Sequence, residues 1–81
     1  MVIKEIIIMY ILNEEKNYCV KLESVSYQIV AEDWFSLRVN DQTIQVYQDI
    51  SKGKRVFNEI ISELYDNVKI YKIPSEDEVL I

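Results

Sequence analysis

The chain has 81 residues and a formal net charge of −5, from 14 acidic and 9 basic side chains. Such a charge disfavours nucleic-acid binding, which needs Lys and Arg to neutralise phosphates. The absence of histidine removes the commonest metal ligand and general base, and the single cysteine excludes Cys-rich zinc sites. We therefore expect a protein that is not an enzyme and that uses no metal or cofactor.

The composition is typical of one globular domain over residues 1–81, with 49% hydrophobic and 28% charged residues. Gly53 and Pro74 are the only glycine and proline, so no linker is expected. Cys19 has no partner for an internal disulfide, and no apolar run approaches the roughly 20 residues of a membrane span. No secretion signal is recognised either. These features predict a cytoplasmic protein.

The first predicted element is a strand over residues 2–12, which contains seven consecutive apolar residues from Ile6 to Leu12. A strand that is apolar on both faces needs cover on both sides. The chain has one plausible long helix, and one helix covers one face of a sheet. We therefore predict that a second copy or another protein covers the other face, with a homodimer as the expected form.

A polar turn over residues 13–17 predicts that the next strand, Tyr18 to Leu22, runs back alongside the first. Its pairing with the first strand is expected to continue through Val25, Tyr27 and Ile29. Glu32 and Asp33 form the next predicted break.

The clearest hairpin joins a strand over Trp34 to Val39 with one over Thr43 to Ile50, through a turn at Asn40 and Asp41. Strict alternation sorts the side chains of both strands into two faces. The predicted inward set is Phe35, Leu37, Val39, Ile44, Val46 and Ile50, and the outward set is Trp34, Ser36, Arg38, Thr43, Gln45, Tyr47 and Asp49.

An amphipathic helix is predicted over residues 52–66, capped by Asp49 or Ser51. Its apolar stripe consists of Val56, Phe57, Ile60, Ile61 and Leu64. A strand over Val68 to Ile73 and a capping box from Ser75 to Glu78, opening one helical turn, complete the chain. The predicted fold class is α+β, with an antiparallel sheet of four or five strands and one main helix packed on one face.

Binding is expected at Trp34, because Trp, Tyr and Arg are enriched at interaction hot spots. The alternative is that Trp34 only folds over a sheet edge. The predicted partner is a protein with a basic surface, attracted by the acidic charge. The predicted partner-binding residues are Trp34, Arg38, Tyr47, Glu32, Asp33, Glu76, Asp77 and Glu78.

The basic cluster from Lys52 to Arg55 has two interpretations. Cations are mildly unfavourable at a helix N-terminus, so a phosphate-bearing ligand held there by side chains and free amides would explain them. Otherwise they form a solvated first turn balanced by Asp49. Under the first interpretation the chain is a homodimeric intracellular bacterial regulator.

Two hairpins, the Asp49-Ile50-Ser51 helix start and the acidic tail from Ser75 resemble small uncharacterised proteins of low-GC Gram-positive bacteria. That resemblance implies no function. In size and charge the chain is also similar to small acidic inhibitors of nucleic-acid enzymes, such as many anti-CRISPR proteins. This likeness implies a phage or mobile-element inhibitor that occludes the nucleic-acid-binding surface of a partner.

Overall fold

The computed structural model describes residues 8–80, which form six strands, one α-helix and two short 3-10 helical turns. The strands are β1 (Tyr10–Asn13), β2 (Tyr18–Lys21), β3 (Val25–Val30), β4 (Trp34–Val39), β5 (Gln42–Tyr47) and β6 (Ile70–Lys72). The helix α1 spans Ile50–Tyr65, and the 3-10 turns span Ala31–Asp33 and Glu76–Glu78.

The six strands form two sheets of three strands each, in the orders β2-β1-β6 and β3-β4-β5. The α+β class is confirmed, but the single sheet of four or five strands is wrong. β3 pairs with β4 instead of continuing along β1, and β6 runs parallel to β1. Residues 2–7 of the predicted first strand lie outside the described residues.

The two predicted hairpin turns are confirmed. β1 and β2 pair antiparallel around residues 14–17, and β4 and β5 pair around Asn40 and Asp41. Both of these residues have positive φ, 53° and 64°, as a two-residue type I′ hairpin loop requires. Asn and Asp tolerate this left-handed conformation better than most residues, so the local sequence selects the turn.

A register shift in the second hairpin overturns part of the predicted alternation. Leu37 lies opposite Gln45, but Arg38 lies opposite Thr43, so Ile44 is an extra residue that forms a β-bulge. The residues after Ile44 consequently exchange faces, because side chains alternate with a period of two. Val46, predicted inward, is 36% exposed, whereas Tyr47, predicted outward, is fully buried.

Gln45, also predicted to point outward, is buried with Tyr47. Ile50, predicted as the last inward residue of this strand, is instead the first residue of α1. Of the outward set in the second strand, Thr43 and Asp49 are exposed as predicted.

The helix begins two residues earlier than predicted and ends one residue earlier. Asp49, one of the two predicted caps, is the N-cap: its carboxylate accepts hydrogen bonds from the backbone N–H groups of Ser51 and Lys52 at 2.8 and 3.4 Å. After Tyr65 the chain turns at Asn67, which has a φ of 62°. The buried residues of α1 are Gly53, Val56, Ile60 and Leu64.

The helix packs across the second sheet, with Gly53 in close contact with the side chain of Phe35. A methyl group on Gly53 would overlap the Phe35 ring and lie 2.7 Å from Phe35 Cβ. Tyr27 stacks on Phe35 with ring centroids 4.7 Å apart, and the Phe57 ring meets Tyr27 edge-on at 5.1 Å. Gly53 therefore lets the helix approach the sheet closely enough for three aromatic rings to pack together.

The first sheet is tied to the rest of the domain by buried polar contacts. Asn13 is buried, and its Nδ2 donates to the carbonyl oxygen of Ile44 at 2.9 Å and to Gln45 Oε1 at 3.3 Å. On the other flank, the Tyr71 hydroxyl donates to Glu59 Oε1 at 2.7 Å. Burial and this hydrogen bond raise the pKa of Tyr71.

Replacing Gly53 by Ala should destabilise the protein by about 1 to 3 kcal/mol, because the added methyl group overpacks the site against Phe35. Helix propensity alone predicts the opposite sign, a gain of about 1 kcal/mol. Urea unfolding followed by circular dichroism measures the difference.

A double-mutant cycle with Phe35→Leu provides the control. The two losses should be strongly non-additive, since the smaller side chain at position 35 makes room for the methyl group. A stabilising Gly53→Ala substitution, or additive losses, would contradict the close contact.

Candidate protein-binding surface

Trp34 points to the side of the second sheet opposite α1. Phe35, its neighbour in β4, packs against the helix, and successive side chains of a strand lie on opposite faces. Trp34 is half-buried and lies directly across from Val30 of β3. We call this outer side of β3, β4 and β5 the Trp34 face. The register places on it Ser26, Gln28, Val30, Trp34, Ser36, Arg38, Thr43 and Val46, of which Ser36 is buried.

Arg38 lies on the Trp34 face as predicted, but its guanidinium is held by its own hairpin. Nη1 donates to Thr43 Oγ1 at 3.1 Å, and Nη2 donates to the carbonyl oxygen of Asp41. Thr43 Oγ1 also lies 2.9 Å from Ser36 Oγ. Arg38 therefore ties together the two strands and the turn of its own hairpin.

Tyr47 is not a surface residue, so its prediction as a partner-binding side chain is wrong. The bulge at Ile44 turns it into the core, where its hydroxyl donates to the carbonyl oxygen of Pro74 at 2.6 Å. Burial raises the pKa of Tyr47, and the nearby carboxylates of Glu76, Glu15 and Glu78 raise it further. The residue that takes its place on the Trp34 face is Val46.

Glu76 holds the C-terminal 3-10 turn against the start of α1. Its carboxylate accepts hydrogen bonds from the backbone N–H groups of Gln48 and Asp49, at 3.0 and 2.8 Å. Lys52 Nζ donates to the Glu76 carbonyl oxygen at 3.1 Å. Glu76 was predicted to contact a partner, and the structure instead engages its carboxylate within the chain.

The predicted capping box at Ser75 is present. The backbone N–H of Ser75 donates to Glu78 Oε1 at 2.8 Å, and this hydrogen bonding lowers the pKa of the Glu78 carboxyl. The turn that follows is the 3-10 turn Glu76–Glu78, which leaves Asp77 and Glu78 exposed.

A polar groove of about 620 Å³ separates β5 from this 3-10 turn. We call it the acidic groove, because three carboxylates and one lysine line it together with uncharged groups. Its residues are Glu15, Gln45, Val46, Gln48, Lys52, Ser75, Glu76 and Asp77. Val46 belongs to both the groove and the Trp34 face, so the two surfaces are continuous.

Glu32 and Asp33 lie at the same end of the second sheet as the acidic groove. The register places Trp34 beside Val30 and Phe35 beside Tyr47. The turn before β4 and the last residue of β5 therefore lie at the same end of the second sheet. Both acidic residues are exposed and have positive φ, 64° and 59°. Glycine would adopt this conformation at lower cost, by about 1 kcal/mol per residue.

The basic cluster at the start of α1 does not face free amides. Asp49 accepts the Ser51 and Lys52 N–H groups, and Lys52 bonds to the Glu76 carbonyl. Lys54 and Arg55 are exposed. In residues 8–80, no group of three or more acidic or cysteine side chains is placed to hold a metal ion. No helix in that range is long and apolar enough to cross a membrane.

Sequence reasoning missed Val46, Val30 and Glu15. Strict alternation placed Val46 in the core, and only recognition of a bulge would have moved it. Val30 was not assigned to a face, although its distance of four residues from Trp34 suits a tight hairpin. Glu15 is distant in sequence from the tail, and nothing local indicates that they meet.

Comparisons of the sequence and the structure with known proteins give no match to a family model, a curated protein or a solved structure. The functional argument therefore depends on the geometry of this surface.

Replacing Glu76 by Gln should lower the free energy of unfolding by about 1 to 2 kcal/mol, because the neutral amide offers one acceptor oxygen to two backbone N–H donors and its NH2 group cannot accept a hydrogen bond. Asp77→Asn is the matched control. Its carboxylate is exposed in the same turn, and we expect a change within about 0.5 kcal/mol. Denaturant titration of both variants tests this, and equal losses would contradict the role of Glu76.

Proposed function

We propose that the chain is a non-enzymatic binding module that covers a basic, nucleic-acid-binding surface of a partner protein. The observation that carries this proposal is the position of Trp34, half-buried on an open sheet face between two groups of carboxylates. Glu32 and Asp33 precede it, and the acidic groove adjoins the same face through Val46. Aromatic area surrounded by charge is the usual composition of an interaction hot spot and its rim.

Occlusion follows from charge complementarity. A surface that binds phosphates is rich in Lys and Arg, and it attracts an acidic protein over long range. The exposed carboxylates of Glu32, Asp33 and Asp77 would steer the approach, while Trp34 supplies buried area. The likeness in size and charge to small acidic inhibitors supports the same mechanism. The phosphate-ligand alternative is less well supported, since Asp49 and Glu76 accept the backbone amides near Lys52.

Trp34→Ala should weaken partner binding by at least about 2 kcal/mol, roughly 30-fold, without loss of folding. The wild-type chain and its variants are immobilised, exposed to lysate of the source cell at low and high salt, and compared. A protein retained by the wild type and lost with Trp34→Ala is then purified and titrated. Its binding to a labelled nucleic acid should be blocked by the wild-type chain.

Tyr65→Ala is the matched control for this experiment. It also removes an exposed aromatic ring, 79% accessible, but at the opposite end of α1. The pair Glu32→Lys and Asp33→Lys should chiefly lower the association rate and its salt dependence. Binding that is unchanged by both Trp34→Ala and the charge reversals would rule out this surface.

We also propose a homodimer through the outer face of the first sheet. Ile11 and Asn13 of β1 are buried, but Tyr10 on its other face is 43% exposed, and Ile70 beside it is 61% exposed. The register also places Leu12, Lys21 and Lys72 on this face, so the exposed apolar area around Tyr10 and Ile70 is flanked by two lysines. A second copy docked there would need to bury about 1,200 to 2,000 Å² in total for a stable interface.

Sedimentation equilibrium at micromolar concentration should give about twice the chain mass of 9.7 kDa. Ile70→Lys should return the protein to one chain mass, because a charge in the centre of an apolar interface is poorly solvated. Val30→Lys, an equivalent change on the other sheet, should leave the dimer intact. A wild-type protein that remains monomeric would exclude this interface.

A further inference from the structure

The acidic groove contains a buried side-chain amide with one hydrogen-bonding group unused. Gln45 is 8% exposed, and its Oε1 accepts from Asn13 Nδ2 at 3.3 Å. No described residue accepts a hydrogen bond from its Nε2. This nitrogen reaches solvent, since every fully buried side-chain nitrogen and oxygen of the described residues has a partner. Gln45 lines the acidic groove, so its free N–H donor opens into that cavity.

Two carboxylates of the groove are free to bind a ligand. Glu76 uses its carboxylate on two backbone N–H groups, but Glu15 and Asp77 are exposed. The ion pair found within residues 8–80 involves neither of them. The lysine of the groove, Lys52, donates to a carbonyl oxygen rather than to a carboxylate. The groove therefore has unpaired negative charge and a spare N–H donor.

The acidic groups come from two distant parts of the chain and act on one place. Glu15 lies in the turn between β1 and β2, and Glu76 lies in the C-terminal 3-10 turn. The carboxylates of both residues raise the pKa of Tyr47, at the end of β5. Charges of one sign on facing walls of a cleft reinforce each other, so this groove attracts cations.

The arrangement suits an organic cation better than a metal ion. Within residues 8–80, no three acidic side chains are placed to hold a metal ion, and the groove has a volume of about 620 Å³. A guanidinium spreads its charge and its N–H donors over a plane, so it can contact carboxylates on two walls. The donor of Gln45 requires an acceptor from the same ligand, and the main-chain carbonyl of an arginine residue supplies one.

We propose that the acidic groove receives one arginine residue of the partner protein. Its guanidinium lies between Glu15 and Asp77, and its main-chain carbonyl oxygen accepts from Gln45 Nε2. This inference rests on the proposed function, because it names the residue by which the basic partner is held. Val46 joins the groove to the Trp34 face, so a partner that covers Trp34 can place one side chain in the groove.

An NMR titration with N-acetyl-arginine methylamide tests the proposal with the residue alone. The side-chain NH2 signals of Gln45 should shift and saturate at millimolar ligand, because Nε2 gains an acceptor. The side-chain amide of Gln28, exposed on β3, is the internal control and should not shift. N-acetyl-citrulline methylamide has nearly the same shape without the charge, and it should bind at least about fivefold more weakly.

Glu15→Gln should weaken binding of the arginine probe by roughly two- to fivefold, as expected for the loss of one exposed ion pair. Glu14→Gln is the matched control. It removes the same charge from the neighbouring residue, which pairs with Lys72 and does not line the groove, and binding should not change. Asp77→Asn should weaken binding to the same extent as Glu15→Gln. All three side chains are exposed, and a wild-type circular dichroism spectrum verifies that each variant is folded.

Four results would overturn the proposal. Equal affinity for the arginine and citrulline probes would exclude recognition of charge, and equal affinity for N-acetyl-lysine methylamide would exclude a site for guanidinium. Signals of Gln45 that do not shift would exclude the groove as the site. Equal weakening by Glu14→Gln and Glu15→Gln would reduce the effect to net charge.

Failure of this inference and failure of the proposed function are distinguishable. Partner capture that depends on Trp34 but is unchanged by Glu15→Gln and Asp77→Asn leaves the function standing and excludes the arginine site. Binding of the arginine probe beside Gln45 without Trp34-dependent capture leaves the arginine site standing and excludes the function.

Discussion

The bulge at Ile44 is the constraint on which the rest of the domain depends. One extra residue in β5 turns Tyr47 into the core, where its hydroxyl reaches the carbonyl oxygen of Pro74. This contact brings the tail after Pro74 to the end of β5, where the Glu76 carboxylate accepts two backbone N–H groups. The same bulge exposes the Ile44 carbonyl to Asn13, which joins the first sheet to the second. Without this shift, Val46 would be buried and Tyr47 could not bond to Pro74. The residues after Pro74 that line the acidic groove would then not be held beside β5.

Elements with local causes were predictable from the sequence. The helix follows from an apolar stripe at three- and four-residue spacing, and Asp49 caps it as a short acceptor side chain should. The turn at Asn40 and Asp41 follows from their tolerance of positive φ, and the capping box at Ser75 follows from its spacing to Glu78. Each of these depends on interactions between near neighbours in the chain, which the sequence displays directly.

The division into two sheets and the exchange of Val46 and Tyr47 were not predictable in the same way. β1 and β6 are paired although they lie near opposite ends of the described chain, and a strand order of this kind depends on the whole core. Strict alternation of side chains holds for a pair of strands without a bulge. Here the bulge lies at Ile44, whose carbonyl oxygen is bound by the buried side chain of Asn13 from the other sheet. For the candidate site, the structure places Trp34 and Glu32 together at one end of the second sheet, whereas Tyr47 and the carboxylate of Glu76 make contacts within the fold.

Carboxylates around the second sheet fall into two groups: Glu76 binds the chain's own backbone, and Glu32 and Asp33 are exposed. The backbone N–H groups of Gln48 and Asp49, which follow β5, both donate to the carboxylate of Glu76, and this contact closes the β5 edge of the sheet. At the turn before β4, Glu32 and Asp33 are held in a left-handed conformation, with φ of 64° and 59°. Glycine at these two positions would adopt that conformation at a lower cost, by about 1 kcal/mol per residue. This strained turn immediately precedes Trp34, so its two exposed carboxylates lie beside the residue on which the proposed binding depends.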